Sequence, residues 1–139
     1  MLKSVDLKDY MIDNPIAISK DAGLMEAVHL ILVNKISGVC VVDEDHKLVG
    51  MLSELDCLNG ILMASYNESG IGRVADFMTT ELVVAGLGED IVDVASDMLK
   101  HQQRRRPVVE NGKLIGQISC RQLLLAVKEF SGPKDESEY

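Results

Sequence analysis

The chain of 139 residues states one pattern twice, about 67 residues apart. Asp9-Tyr10-Met11 returns as Asp76-Phe77-Met78. The apolar set Leu24, Ala27, Val28, Ile31 and Leu32 returns position for position as Ile91, Val94, Ala95, Met98 and Leu99. Cys40-Val41-Val42 returns as Pro107-Val108-Val109, and Lys47-Leu48-Val49-Gly50 as Lys113-Leu114-Ile115-Gly116, one residue early because a turn shortens. Solenoid units repeat every ~20–50 residues, so this spacing belongs to something larger. Half-chains of this size build a core only marginally on their own, and two packed sheet against sheet would share one. The duplication therefore predicts two similar α/β lobes with pseudo-two-fold symmetry and a cleft between them.

Each copy reads as a helical turn, a short strand, a helix, two strands and a closing helix. Asn14-Pro15 ends the first turn, because the residue before proline resists the α region. Ile16-Ala17-Ile18 is a brief extended segment. Asp21 is placed to cap a helix whose apolar residues follow i, i+3, i+4, i+7, i+8 from Leu24. Val39-Cys40-Val41-Val42 is the continuous apolar run of a strand covered on both faces. Asp43 to His46 is a turn, and Leu48 to Leu52 the antiparallel partner. Residues 54–64 close the repeat, with Leu55, Leu58, Ile61 and Leu62 as the apolar side. The expected boundaries are 1–64 for the first repeat, 65–72 for a polar, glycine-bearing linker and 73–130 for the second repeat. Residues 131–139 are a tail too polar to bury.

Composition narrows the function more than the fold. No apolar run approaches the ~18 residues of a membrane span, and the N-terminus lacks a signal-peptide core, so a cytoplasmic chain with no membrane partner is expected. Cys40, Cys57 and Cys120 are odd in number with no C-x-x-C spacing, and read as small core hydrophobes. Met25, Met63 and Met98, on helical stripes, read as core as well. His29, His46 and His101 are scattered and predict no metal site. A net charge of −8 opposes binding to a nucleic-acid polymer. Between Asp97 and Lys128, however, seven basic residues face two acidic ones, a local balance of +5. Such a region is either a local anion site or a solvated basic face, and charge alone does not choose.

The strongest local constellation ends the third strand of each copy: Gly50-Met51-Leu52-Ser53-Glu54-Leu55-Asp56, matched by Gly116-Gln117-Ile118-Ser119-Cys120-Arg121-Gln122. Ser-x-x-Asp and Ser-x-x-Gln at a helix start are capping boxes, and caps alone would explain both copies at about 1 kcal/mol each. The same residues also suit a ligand. A helix N-terminus beside a hydroxyl receives anions, and a carboxylate one turn in accepts from both ribose hydroxyls. Asp56 can do this; Gln122, with a donor amide, does it less well. Arg104, Arg105, Arg106 and Arg121 supply charge for phosphate. Gly70-Ile71-Gly72-Arg73-Val74-Ala75 spells a dinucleotide fingerprint but follows a polar stretch instead of a strand, and reads as linker.

Taken in order, spacing and duplication, these motifs resemble a tandem pair of cystathionine β-synthase (CBS) domains over nearly the whole chain. The carrying residues are the two Asp-aromatic-Met openings, Arg104-Arg105-Arg106-Pro107-Val108-Val109, Lys113-Leu114-Ile115-Gly116 and the Gly-x-x-Ser-x-x-Asp of residues 50–56. The resemblance implies two β-α-β-β-α units, often paired again into a homodimer. It also implies an adenosine-containing ligand (AMP, ADP, ATP or S-adenosylmethionine) in the inter-repeat cleft. Carried over, it makes Ser53 and Asp56 the phosphate–ribose pair of a first site, with Ile16, Ala17, Ile18, Gly38, Val39 and Cys40 around the base. A second site would use Val83, Val84, Ala85, Arg106, Pro107 and Ser119, with Arg121 beside it. Gln122 stands there in place of the family's usual acid, and Ser37-Gly38-Val39 lacks the arginines of 104–106. One repeat thus keeps the ribose anchor and the other the charge.

The expected function is a regulatory sensor with no chemistry of its own, needing no cofactor beyond the nucleotide and relaying occupancy to an unidentified partner. The alternative is a ligand-free dimerisation or protein-interaction module in which both boxes are only caps. An enzyme is disfavoured because neither an ordered triad nor a nucleophile elbow occurs. Leu58, Ile61, Leu62, Leu124 and Val127 are the residues expected to meet a second copy.

Overall fold

The opening motif of each repeat pairs with the closing hairpin of the other. The computed structural model describes residues 5–67 and 70–131. A 3-10 turn (Leu7–Asp9) is followed by β1 (Ile12–Asp13), β2 (Ala17–Ser19), α1 (Leu24–Asn34), β3 (Gly38–Val42), β4 (Leu48–Ser53) and α2 (Glu54–Asn67). Next come α3 (Val74–Phe77), α4 (Ile91–Lys100), β5 (Arg105–Glu110), β6 (Lys113–Ser119) and α5 (Cys120–Ser131). The protein is thus mixed α/β, with two repeats of sheet plus helices. Its compact units cross the sequence repeats. Unit A is Pro15–Val83 with Asn111–Leu114; unit B takes the chain up to Asn14, Val84–Glu110 and the chain from Ile115 onward.

In unit A the sheet order is β2-β3-β4, with β2 parallel to β3 and β3 antiparallel to β4. Thr79 adds a bridge to Met51 on the outer edge of β4, exchanging N–H···O bonds of 2.8 and 3.0 Å. The close approach favours glycine there: a Cβ on Gly50 would lie 2.5 Å from Met78 Sδ and 3.1 Å from Thr79 O. One face of the sheet buries Val39, Val41 and Leu52 against Leu24, Ala27 and Ile31 of α1 and Cys57 of α2. On another cluster Cys40 and Val42 pack with Leu114, Ala17, Leu48 and Met51. Apolar packing on both sides of β3 accounts for its unbroken apolar sequence.

Unit B repeats the plan. Its sheet is β1-β6-β5, with Ile12 opposite Gln117, and Ala85 bridges Val108 in parallel. A Cβ on Gly116 would lie 2.5 Å from Met11 Sδ and 3.0 Å from Ile12 O. Leu7, Ile91, Val94, Met98, Val108 and Ile118 form the core. The duplicated Asp-aromatic-Met and the duplicated strand glycine are therefore one packing device, used once in each unit.

Several expectations need correction. The N-cap of α1 is Gly23, without a side-chain cap; Asp21 instead donates its backbone N–H to Ser19 Oγ at 3.1 Å. In the second copy the expected kind of cap forms, Asp90 Oδ1 accepting from Val92 N–H. Both apolar stripes are one residue too wide. Leu32 is 67% exposed and Leu99 80%, because the i+8 position falls at the rim of the buried face. The closing helix α2 runs to Asn67 and buries Cys57 and Gly60, whose missing side chain admits Leu24 Cδ2 and Phe77. Of its apolar side, Leu55, Leu58 and Leu62 are exposed and Ile61 is half-buried. Met25 and Met63 are exposed, as is Cys120 at the first position of α5; Met98, Cys40 and Cys57 are core. Val83–Ala85, at the repeat position of Ile16-Ala17-Ile18, forms no strand, only a single bridge at Ala85. The expected tail beyond Ser131 lies outside the described residues.

Candidate functional site

Strand register gathers the first predicted set at one end of the unit A sheet, across all three strands. Gly38 lies opposite Ser53, Ala17 opposite Cys40 and Ile18 opposite Val41, with Ile16 just before β2. Gly38 allows β4 close, since a Cβ there would stand 3.1 Å from Leu52 O. The chain turns from β4 into α2 at Ser53, and Glu54 N–H donates to Ser37 O at 3.0 Å. The capping box is complete: Asp56 N–H donates to Ser53 Oγ at 3.1 Å, and Ser53 N–H to Asp56 Oδ2 at 2.9 Å. Asp56 Oδ1 takes no protein hydrogen bond among the described residues. The cap therefore leaves one carboxylate oxygen for another donor.

Not every residue of that set presents a side chain. Val39 and Cys40 are 2% and 1% exposed and are spent in core clusters, so they bring only backbone to that end. Ile16 is exposed, and Ala17, Ile18 and Gly38 are half-buried.

At the matching junction of unit B, Cys120 N–H donates to Arg104 O at 3.0 Å, the counterpart of the Glu54–Ser37 bond. The box differs. Ser119 Oγ donates to Gln122 Oε1 and receives Gln122 N–H at 3.5 Å. Of the remaining second set, Ala85 and Pro107 are buried and Val84 is exposed, whereas Val83 belongs to unit A. Arg106 is the main correction. It is 2% exposed; Nη2 donates to Asp97 Oδ2 at 2.7 Å and Nε to Gln103 Oε1 at 2.9 Å. The bond from Arg106 holds the Asp97 carboxyl below its ordinary range. Its guanidinium is thus a tie between β5 and the end of α4, and Arg104 and Arg121 are the exposed cations of this junction.

Asp97, Gln103 and Thr79 were missed from the sequence. A signal for the first two existed: the repeat offset equates Leu30 with Asp97, Ile36 with Gln103 and Val39 with Arg106. Nothing local marks Thr79, whose place depends on a strand pairing. Beside the site, Val28, Ile31, Leu32, Glu54, Cys57, Leu58 and Ile61 line an apolar groove of about 200 Å³ between α1 and α2. Burial pushes the Cys57 thiol up, with Asp56 and Glu54 adding to the effect, so it stays neutral there. Among the described residues no cluster of His, Cys, Asp and Glu could hold a metal ion, and no helix is long and apolar enough to cross a membrane.

The family model of the CBS domain matches residues 7–62 and 74–129. Similar proteins include MJ1426 of Methanocaldococcus jannaschii, 30% identical over 87% of this chain and 90% of its own length. MJ1225 of the same organism is 29% identical over 81% of this chain, and the inosine-5'-monophosphate dehydrogenase of Nitrosopumilus maritimus 38% identical over 76%. The chain spans 39% of MJ1225 and 20% of the dehydrogenase. Among solved structures, CBSX2 in complex with AMP superposes with a TM-score of 0.79 and 27% identity, covering 89% of this chain and 96% of its own. Staphylococcus aureus OpuCA gives 0.74 and 26%, covering 88% and 98%.

Proposed function

Because the chain belongs to the CBS domain family, with both repeats matched, we propose that it is a regulatory module that binds an adenosine-containing ligand and passes its occupancy to a partner protein. The observation that carries this reading is Asp56, whose Oδ2 completes the helix cap while Oδ1 is left for a ligand. A cap needs only one oxygen; a ribose diol needs a second acceptor. The likeness to CBSX2, crystallised with AMP, supports the ligand class. The dehydrogenase likeness covers a fifth of that enzyme and carries none of its chemistry here. A ligand acts on a partner only through its different affinities for two arrangements, so binding and relay are separable.

Thermal unfolding with AMP, ADP, ATP and S-adenosylmethionine tests the reading. At 100-fold excess over Kd a bound ligand adds about 2.7 kcal/mol, enough to raise Tm by several degrees. Asp56→Ala removes most of that rise. No shift with any of the four compounds at millimolar concentration rejects adenosyl binding and leaves the ligand-free interaction module.

A homodimer is part of the same proposal. Leu58, Leu62, Leu124 and Val127 are 54–69% exposed on α2 and α5, more apolar surface than a single chain gains by leaving in water. Sedimentation at high micromolar concentration is expected to give a dimer, and Leu58→Glu with Leu124→Glu a monomer.

A further inference from the structure

The helices of the two units differ in charge. α1 and α2 bear Glu26, Glu54 and Asp56 and no lysine or arginine. α4 and α5 bear Lys100, Arg121 and Lys128 against Asp93, Glu129 and the Asp97 that holds Arg106. Both pairs of helices also leave apolar side chains in water, Leu58 at 56% exposure and Leu124 at 69%. The unit A pair is notched. Its groove is lined by Leu32, Cys57, Leu58 and Ile61 among others, and Glu54 is the charged residue of that lining; Lys35, just past α1, lies outside it. On a helix, residues three and four apart share a face. Glu54 therefore accompanies Leu58, four residues on, and Arg121 accompanies Leu124, three residues on. An apolar groove with a carboxylate at its wall fits a protruding apolar side chain that brings a cation one turn away.

We infer that a second copy of this chain docks head to tail: its Leu124 enters the unit A groove and its Arg121 meets Glu54. The inference rests on the homodimer reading and names which faces meet. Entry of the second copy's Leu58 instead would bring a second Glu54 against the first, and two unit B faces would gather two Arg121 side chains. Only unlike faces combine apolar contact with opposite charge. Two-fold symmetry makes the contact twice, unit A of each copy on unit B of the other, so the assembly closes as a dimer.

Sedimentation equilibrium of the full chain at about 50 mM salt tests this. Because the pair occurs twice, Glu54→Arg should weaken the dimer ~10-fold and Arg121→Glu should do the same. The two together should return the affinity to within ~3-fold of the unaltered chain. Between like faces, either reversal exchanges one like-charged pair for another, and combining them rescues nothing. A dimer that either single reversal leaves intact, or that the double variant fails to restore, overturns the head-to-tail pairing while the dimer itself stands. A restored double variant also shows that the single losses are not failures of folding. If the unaltered chain is a monomer at high micromolar concentration, the homodimer reading falls first and the pairing with it.

Discussion

Where the first repeat packs Leu30, Ile36 and Val39 together, the second places Asp97, Gln103 and Arg106 at the equivalent positions. The replacement is collective. A buried guanidinium is tolerated only when its donors find acceptors, and the two neighbouring positions supply a carboxylate and an amide. His101 joins the cluster, its Nδ1 lying 3.4 Å from Asp97 Oδ2. The comparison shows that three consecutive arginines are not one electrostatic patch. Arg106 is buried within β5, in the run Arg106-Pro107-Val108, whereas Arg104, just before the strand, stays at the surface.

The comparison breaks if the triad is not a unit. Arg106→Ala should cost about 3 kcal/mol in urea unfolding, because it empties a buried site and strips two acceptors of their donor. Installing the first repeat's residues together, Asp97→Leu with Gln103→Ile and Arg106→Val, should recover most of that loss, as replacement of a buried ion pair by packed apolar groups does. Equal damage in both variants would show that the two repeats are not interchangeable here. Next in size, Gly50→Ala and Gly116→Ala should each cost about 2 kcal/mol, by overpacking against Met78 and Met11. Similar values would sharpen the view that both units use one device.

The caps should differ. Ser53→Ala is expected to cost about 1 kcal/mol and Ser119→Ala a few tenths, since the backbone bond that Ser119 accepts is longer, 3.5 Å against 3.1 Å. The smallest effect is in acid. The Asp97 carboxyl is held below its ordinary value of 3.8 by Arg106, so its contribution is complete above that value and is lost as pH falls through the lower folded value. The triple variant should lack this part of the acid-induced loss in thermal scans from about pH 5 to about pH 2.5. It should retain the part due to Asp43, whose carboxyl is also lowered, chiefly by the backbone N–H of Lys47.

Much of this was legible in the chain because periodicity and duplication are local signals. The α1 and α4 faces, the β3–β4 hairpin, and the capping box at Ser53 and Asp56 all follow from spacing within about 15 residues of sequence. Cys120 and Met63 show where such signals stop. Each is an apolar residue on or beside a helical stripe, and neither is buried, because burial depends on which segment covers that stretch of helix. Arg106 shows the opposite case, a charged residue taken inside because its partners arrive from positions 97 and 103.

By itself, the sequence determined the α/β repeats, the two strand-to-helix junctions and the inequality between Asp56 and Gln122. Only the tertiary structure decided that Met11 covers Gly116 and Met78 covers Gly50, and that one arginine of three belongs to the core. The reason is physical. Side-chain period and capping are properties of neighbouring residues, whereas burial and ion pairing are set by segments far apart in the chain, and their outcome exists only once those segments have met.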